Sequence, residues 1–443
     1  MSVKDKQGSG LYWALLLLIV VAPTQWGIEV KGIPATPADL VLAVAFLGWV
    51  VLAARRRAAL GLPPACLWAL VAVALVSAAN ATKVALTGQG FAYMAPGYEF
   101  WGTPMKAVAE LAQLIEYLLV VYVLVWAAVR SERQVFAAAQ VLAAITVGVV
   151  LLGLVHYLTR SGSDAFQVAS TFGSRHIYGG YLAMALPVVF SLALTARGWP
   201  ARVGLLAVIV VGAVTILSPG ALIGLGVALL LVAARVSGRA LQATLAAVLA
   251  FGALTAVALP RNYEHNVYQF AHFRTADGQA LRAQWREWLA GAQLVREHPL
   301  LGVGPGNFQQ NIGTAYGQIG QEYPGKARPG ADLAAGLMEP DTNSLYVVTA
   351  SSMGLLGLAA LLWVLLYFGK VASAAARRLE GRAIGVLAAG LWGGIIGFAV
   401  TSIFSSLMVR GTGVVLGLLM ALAAVLCFRE WPVEPNANAL HVI

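Results

Sequence analysis

The chain has 443 residues, of which 60% are hydrophobic and only 11% charged, and it carries a net charge of +10. That composition excludes a soluble globular enzyme, and its repeated apolar runs approach the roughly 20 residues that cross a bilayer. It predicts an all-α, polytopic membrane protein, in which a basic excess reports topology and contact with anionic lipid headgroups and no nucleic acid is expected as a partner.

In chain order, Lys4 and Lys6 precede an apolar stretch from Leu11 that looks like a signal peptide but lacks a small-x-small cleavage site, so it is read as an uncleaved first helix. Apolar length and flanking charge then predict about twelve transmembrane helices, near 11–27, 37–54, 61–79, 105–128, 135–156, 177–196, 201–217, 220–234, 241–259, 343–368, 383–405 and 411–428. With the N-terminus in the cytoplasm, Arg55 to Arg57, Arg130, Arg133, Arg197, Arg202, Arg235, Arg239, Lys370, Arg377, Arg378 and Arg382 face inward. Together with Lys4, Lys6 and Arg429 these are 16 of the 29 basic residues. Every cytoplasmic turn then obeys the positive-inside rule. Three regions follow: 1–259 with helices 1 to 9, 260–342 as a large periplasmic loop between helices 9 and 10, and 343–443 with helices 10 to 12 and a cytoplasmic tail. Cys66 and Cys427 fall inside apolar runs and are read as packing residues. Glu110 and Glu116 lie in the fourth span, where a carboxylate is costly; Lys106, one turn from Glu110, is a local partner for it, and Glu116 is the residue to test in a proton-coupled carrier.

The hydrophilic loop holds seven Lys/Arg against eight Asp/Glu. Between Asp277 and Arg296, helical spacing puts Leu281, Trp285, Trp288, Leu289 and Ala292 on one side, predicting an amphipathic helix at the membrane surface. Arg282 and Arg286, four apart, share a face of it. Paired guanidinium forks suit the oxygens of a diphosphate, while the plainer reading has them reaching lipid phosphates. Arg261 and Arg274 are secondary candidates for the same anion. The turn Gly302-Val303-Gly304-Pro305-Gly306 offers backbone amides to phosphate, but on spacing a tight re-entry turn is favoured. His298, ahead of Pro299, fits the C-terminal end of the surface helix. His265 and His272 are seven apart with no third ligand at useful spacing, so no metal site is expected.

Trp288, then Glu297-His298-Pro299-Leu300-Leu301-Gly302-Val303-Gly304-Pro305-Gly306-Asn307-Phe308, then Asn343-Ser344 and Gly354-Leu355-Leu356-Gly357, together resemble the O-antigen ligase and O-antigen polymerase superfamily. The local motifs cover about a quarter of the chain, and the twelve-span layout with its large loop after the ninth span is similar too. The resemblance implies a C-type glycosyltransferase-like enzyme of the bacterial inner membrane that needs no metal and no cofactor. Such an enzyme takes a glycan from undecaprenyl diphosphate at the periplasmic face and passes it to an acceptor hydroxyl on a glycan or glycolipid. It also implies that arginines of the outer loops hold the diphosphate, which brings forward Arg282 and Arg286, with Arg175, His176, Arg261 and Arg274 behind them.

Two positions depart from the family pattern. Ligases carry a histidine before the Asn/Ser of the tenth span, where this chain reads Glu339-Pro340-Asp341-Thr342-Asn343-Ser344, and an arginine often follows serine between the seventh and eighth spans, where it reads Leu217-Ser218-Pro219-Gly220. Asp341 and Glu339 are the acids placed to act as base in place of the histidine, with helix capping the competing role of Asp341. Arg175 and His176 are placed to supply the second missing cation. The absent histidine tilts the expectation toward a polymerase of lipopolysaccharide or exopolysaccharide repeat units, with a chain-length regulator as partner. Ligation to lipid A core and protein O-oligosaccharyl transfer are the alternatives within the class, and a lipid-linked sugar flippase or secondary transporter is the alternative outside it.

Overall fold

A computed structural model describes residues 3–24, 28–30, 33–55, 61–86, 103–160, 168–268, 272, 279–321, 344–409 and 411–430. Apart from one antiparallel hairpin, β1 (Ile28–Val30) with β2 (Ile33–Ala35), the regular structure of these residues is helical. The first helices are α1 (Val3–Val21), α2 (Pro37–Ala54), α3 (Ala65–Leu86) and α4 (Thr103–Leu114), the last running through a π-helical turn (Ile115–Val120) into α5 (Val121–Ala128). Next come α6 (Glu132–Thr159), α7 (Arg175–Thr195), α8 (Trp199–Thr215), α9 (Pro219–Val236), α10 (Gly238–Ala258) and the short α11 (Pro260–Tyr263), which leads into a second π turn (Glu264–Tyr268). The amphipathic α12 (Gln279–Glu297) and α13 (Phe308–Gln318) precede α14 (Leu345–Arg378), α15 (Ala383–Thr401) and α16 (Thr412–Phe428). Among the described residues, nine helices are long and apolar enough to cross a membrane, and three apolar helices, Gly10–Val21, Trp199–Thr215 and Thr412–Phe428, are shorter.

Helix starts are fixed by side chains that replace the water a bilayer lacks. Thr36 and Asp39 form a reciprocal capping box, and Ser131, Ser237 and Ser344 accept from the amides of Gln134, Ala240 and Val347. At the centre stands α7, with 89% of its span buried, against α9 and α15; only 11% of the α10 span is buried, so that helix lies at the periphery. Contact is close because α15 presents glycines: a Cβ on Gly394 or Gly397 would collide with the carbonyls of Met184 and Ala183 on α7. Small residues let membrane helices approach to backbone contact in this way.

One end of the bundle is stitched by arginine. Arg382 pairs with Glu132 at 2.7 Å, Arg378 donates to Cys427 O at 2.6 Å, and Arg235 donates to Ser373 Oγ at 2.7 Å with its guanidinium 5.1 Å from the Trp392 ring centre. Arg429 donates to the carbonyls of Trp126 and Val129 at the end of α5. All four belong to the set that charge bias assigned to a single side. Since Arg235 ends α9, the N-terminus of that helix lies at the opposite end, here called the loop end.

Three elements depart from their expected form. α14 runs ten residues beyond its expected end at 368 but is broken at Gly354, whose φ of 68° no helix uses. α15 stops at Thr401, so residues 402–409, expected to be partly helical, form an irregular strap instead. The fourth span is interrupted by the π turn that contains Glu116.

Candidate functional site

The loop end is organised by the first turn of α7. Ser174 caps it, its hydroxyl accepting from His176 N at 3.2 Å, which fixes where Arg175 and His176 project. Arg175 Nε donates to His176 Nε2 at 3.4 Å, leaving Nδ1 as the ring nitrogen facing Ser218 Oγ at 3.2 Å. Ser218 is buried at the start of α9, so the pair expected to compensate for the Leu217-Ser218-Pro219-Gly220 turn is bonded to that turn.

The chain after α10 closes over the same place. Asn262 donates to Val214 O at 2.7 Å and accepts from Tyr157 OH at 2.7 Å, while Asn266 donates to Ile216 O at 3.0 Å. Two asparagines one turn apart thus satisfy carbonyls that the end of α8 leaves open. His265, between them, is buried and donates through Nδ1 to Arg261 O at 2.9 Å. Burial pushes the His265 imidazolium below its ordinary value; its hydrogen bond to Arg261 O opposes that, and the nearby charges of Arg175 and Arg261 add to it. Arg175, His176 and Ser218 are thus bonded together, and His265, on the segment after α10, lies within reach of the Arg175 charge. Arg261 points its guanidinium to the carbonyl and ring of Tyr157, 5.4 Å from the ring centre, and so is occupied at the end of α6.

α12 lies across this end. Gln284 donates to Phe404 O at 3.3 Å, Trp288 packs on the Phe404 ring at 6.4 Å, and Ser351 Oγ donates to Gly291 O at 3.1 Å. Its inward face is thus Gln284, Trp288, Gly291 and Leu294. Trp285 and Leu289, from the apolar side expected at the membrane surface, are 53% and 43% exposed. The helix docks on α14 and the strap through Trp288, so its two tryptophans divide between the protein and the surroundings. Arg282 is half-buried and Arg286 exposed. Ala290 and Leu294 form a small second core with Phe308, Ile312, Ala315 and Tyr316 of α13.

The glycine turn has a structural task. Val303 N and Gly304 N donate to Ser351 O and Ser352 O at 2.9 and 2.8 Å, and Leu355 N donates to Pro299 O at 2.8 Å. These are the backbone groups that the break at Gly354 removes from the helical ladder. Ser77 Oγ adds bonds to Leu301 O and Ser352 O at 2.6 and 3.0 Å. With those amides committed, the turn is a plug in a broken helix and not a phosphate cradle, in line with the re-entry reading.

Glu339, Asp341 and Arg274 lie outside the described residues, as does any side-chain pairing of Lys106 with Glu110. Among the described residues no three His, Cys, Asp or Glu side chains are placed to share a metal ion. Sequence reasoning passed over Ser218 as a partner of His176, Asn262 and Asn266 as clamps, and Phe404 as the seat of α12. Only the i, i+4 asparagine pair carried a signal beforehand. No protein-family model matches the chain, and no curated protein matches it significantly.

Proposed function

We propose that the protein is an inner-membrane glycosyltransferase of the O-antigen ligase and polymerase type, moving a glycan from undecaprenyl diphosphate to an acceptor hydroxyl at the periplasmic face. The twelve helical segments are its spans and the loop end is its periplasmic side. The observation that carries the reading is the convergence of Arg175, His176, Ser218 and His265 at the first turn of a central helix. A helix N-terminus beside a guanidinium is a site for anionic oxygens. Breaking the glycosyl–phosphate bond puts charge on the leaving diphosphate, so fixed cations there stabilise the transition state more than the ground state. Arg282, half-buried on α12, supplies a second cation, with Arg286 at the membrane surface. Asp341 or Glu339 takes the acceptor proton. Polymerisation of repeat units is favoured over ligation to lipid A core or to protein.

The test is transfer by purified protein from a lipid-linked donor. Arg282→Ala and Arg175→Ala should each lower the rate by about 10²–10³-fold with unchanged membrane level. Near-normal product from both variants would reject the diphosphate role. A second reading, a lipid-linked sugar flippase or secondary transporter, draws on the break in α14, since discontinuous helices line many carrier sites.

A further inference from the structure

A cavity of about 150 Å³ lies between α3, α4, the start of α14 and the strap. Its polar lining is Glu110, Gln113, Tyr117, Thr349, Ser352 and Ser406, and leucine and methionine side chains make up much of the rest. Its volume is about ten times the minimum that one water occupies. A buried polar atom at the depth of a membrane helix is costly unless it is satisfied by what fills the space beside it. One observation marks it as a place for a ligand: Ser352, 3% exposed, has a buried Oγ that makes no hydrogen bond within the protein. The same residue adjoins the break in α14, whose freed backbone groups the glycine turn satisfies.

A carboxylate, an amide and several hydroxyls beside a tyrosine ring and aliphatic side chains give hydrogen bonds to one edge of a guest and apolar contact to its face. That is the two-sided chemistry of a sugar ring. The strap ties the cavity to the arginine group: Phe404 rests on Trp288 and against Gly220, whereas Ser406 and Met408 line the cavity. Four residues of chain span at most about 14 Å.

We propose that this cavity binds a single sugar ring of the acceptor. That the ring belongs to an acceptor rests on the transferase reading; that the cavity takes a sugar does not. The test uses Ser352→Cys, and separately Ser406→Cys, each combined with Cys66→Ala and Cys427→Ala, in proteoliposomes exposed to an anionic, membrane-impermeant methanethiosulfonate reagent. Labelling is followed with and without free glucose, galactose, mannose, rhamnose or N-acetylglucosamine. The expected result is that the thiol reacts and that at least one sugar slows the reaction, about threefold at twice its dissociation constant. Adding Glu110→Gln should remove the protection and leave the labelling. Failure of every sugar to protect, or of the reagent to reach either cysteine in a folded chain, overturns the proposal. If the unmodified protein transfers glycan while no sugar protects, the cavity assignment fails and the transferase stands. Protection without transfer keeps the sugar site and removes its assignment to an acceptor.

Discussion

Arg175 and His176 are adjacent in sequence, yet what they do is decided by Ser218, forty-two positions further on, whose hydroxyl meets the imidazole. An Arg-His pair at a helix start is commonplace, and only the fold makes it part of a group with His265. Replacing Arg175 by lysine keeps the charge but loses the planar fork, so transfer should fall to a level between that of the arginine and alanine proteins. Equal rates for lysine and arginine would mean that the guanidinium geometry is irrelevant. His265 gives a prediction at the same scale. Its folded-state value lies below the ordinary 6.5, so on acidification the unfolded chain takes up the proton first. The stability from burying the neutral ring is full above the unfolded 6.5 and is lost as the pH falls from there toward the lower folded value. The thermal midpoint of purified protein should drop between about pH 7.5 and about pH 5, and His265→Gln should flatten that dependence. A slope unchanged by the substitution would assign the pH sensitivity elsewhere.

Among the elements, α14 is the least ordinary. Its sequence is a continuous apolar run in which nothing but Gly354 and Gly357 hints at a break, because hydropathy measures only what a bilayer accepts and not where a ladder is cut. Gly354 takes a positive φ and a Cβ there would strike Leu300 O; Gly302 has the same double constraint against Ser351 O. Gly354→Ala and Gly302→Ala should therefore each destabilise the protein by about 1–3 kcal/mol, read as a lower midpoint of intrinsic tryptophan fluorescence on heating. Gly10, with open space around it, is the control, and an equal loss there would discount the plug. The glycine turn was legible as a turn but not as the partner of α14, since the pairing crosses some fifty residues of chain. For α12 the amphipathic period was legible and the docking face was not: Trp285, Trp288 and Leu289 are all apolar, and contacts with Phe404 and Ser351 select the face that carries Trp288.

For the whole molecule, each apolar run expected from sequence contains a helix among the described residues, nine of them long and apolar enough to cross a membrane, because a chain without water must satisfy its backbone locally and the required length is written in composition. The arginines at one end follow the same logic: Arg235, Arg378, Arg382 and Arg429 were assigned together by charge bias and are found together. The site was less legible, since its members come from α7, the α8 to α9 turn and the segment after α10. Orientation is checked by single cysteines at Trp285 and at Arg377, in a chain lacking Cys66 and Cys427, labelled in intact cells with an impermeant maleimide. Trp285→Cys should react and Arg377→Cys should not. The reverse pattern would put the loop end inside the cell and out of reach of an outward-presented donor.

The central claim is that the protein makes glycosidic bonds at the expense of a polyprenyl-diphosphate linkage. It is tested most directly by reconstituting the purified chain with lipid-linked donor and acceptor and following both product length and free undecaprenyl diphosphate. The expected result is a lengthened glycan with release of one carrier diphosphate per bond formed. Movement of intact donor across the bilayer, with no new bond and no released carrier, would contradict the account.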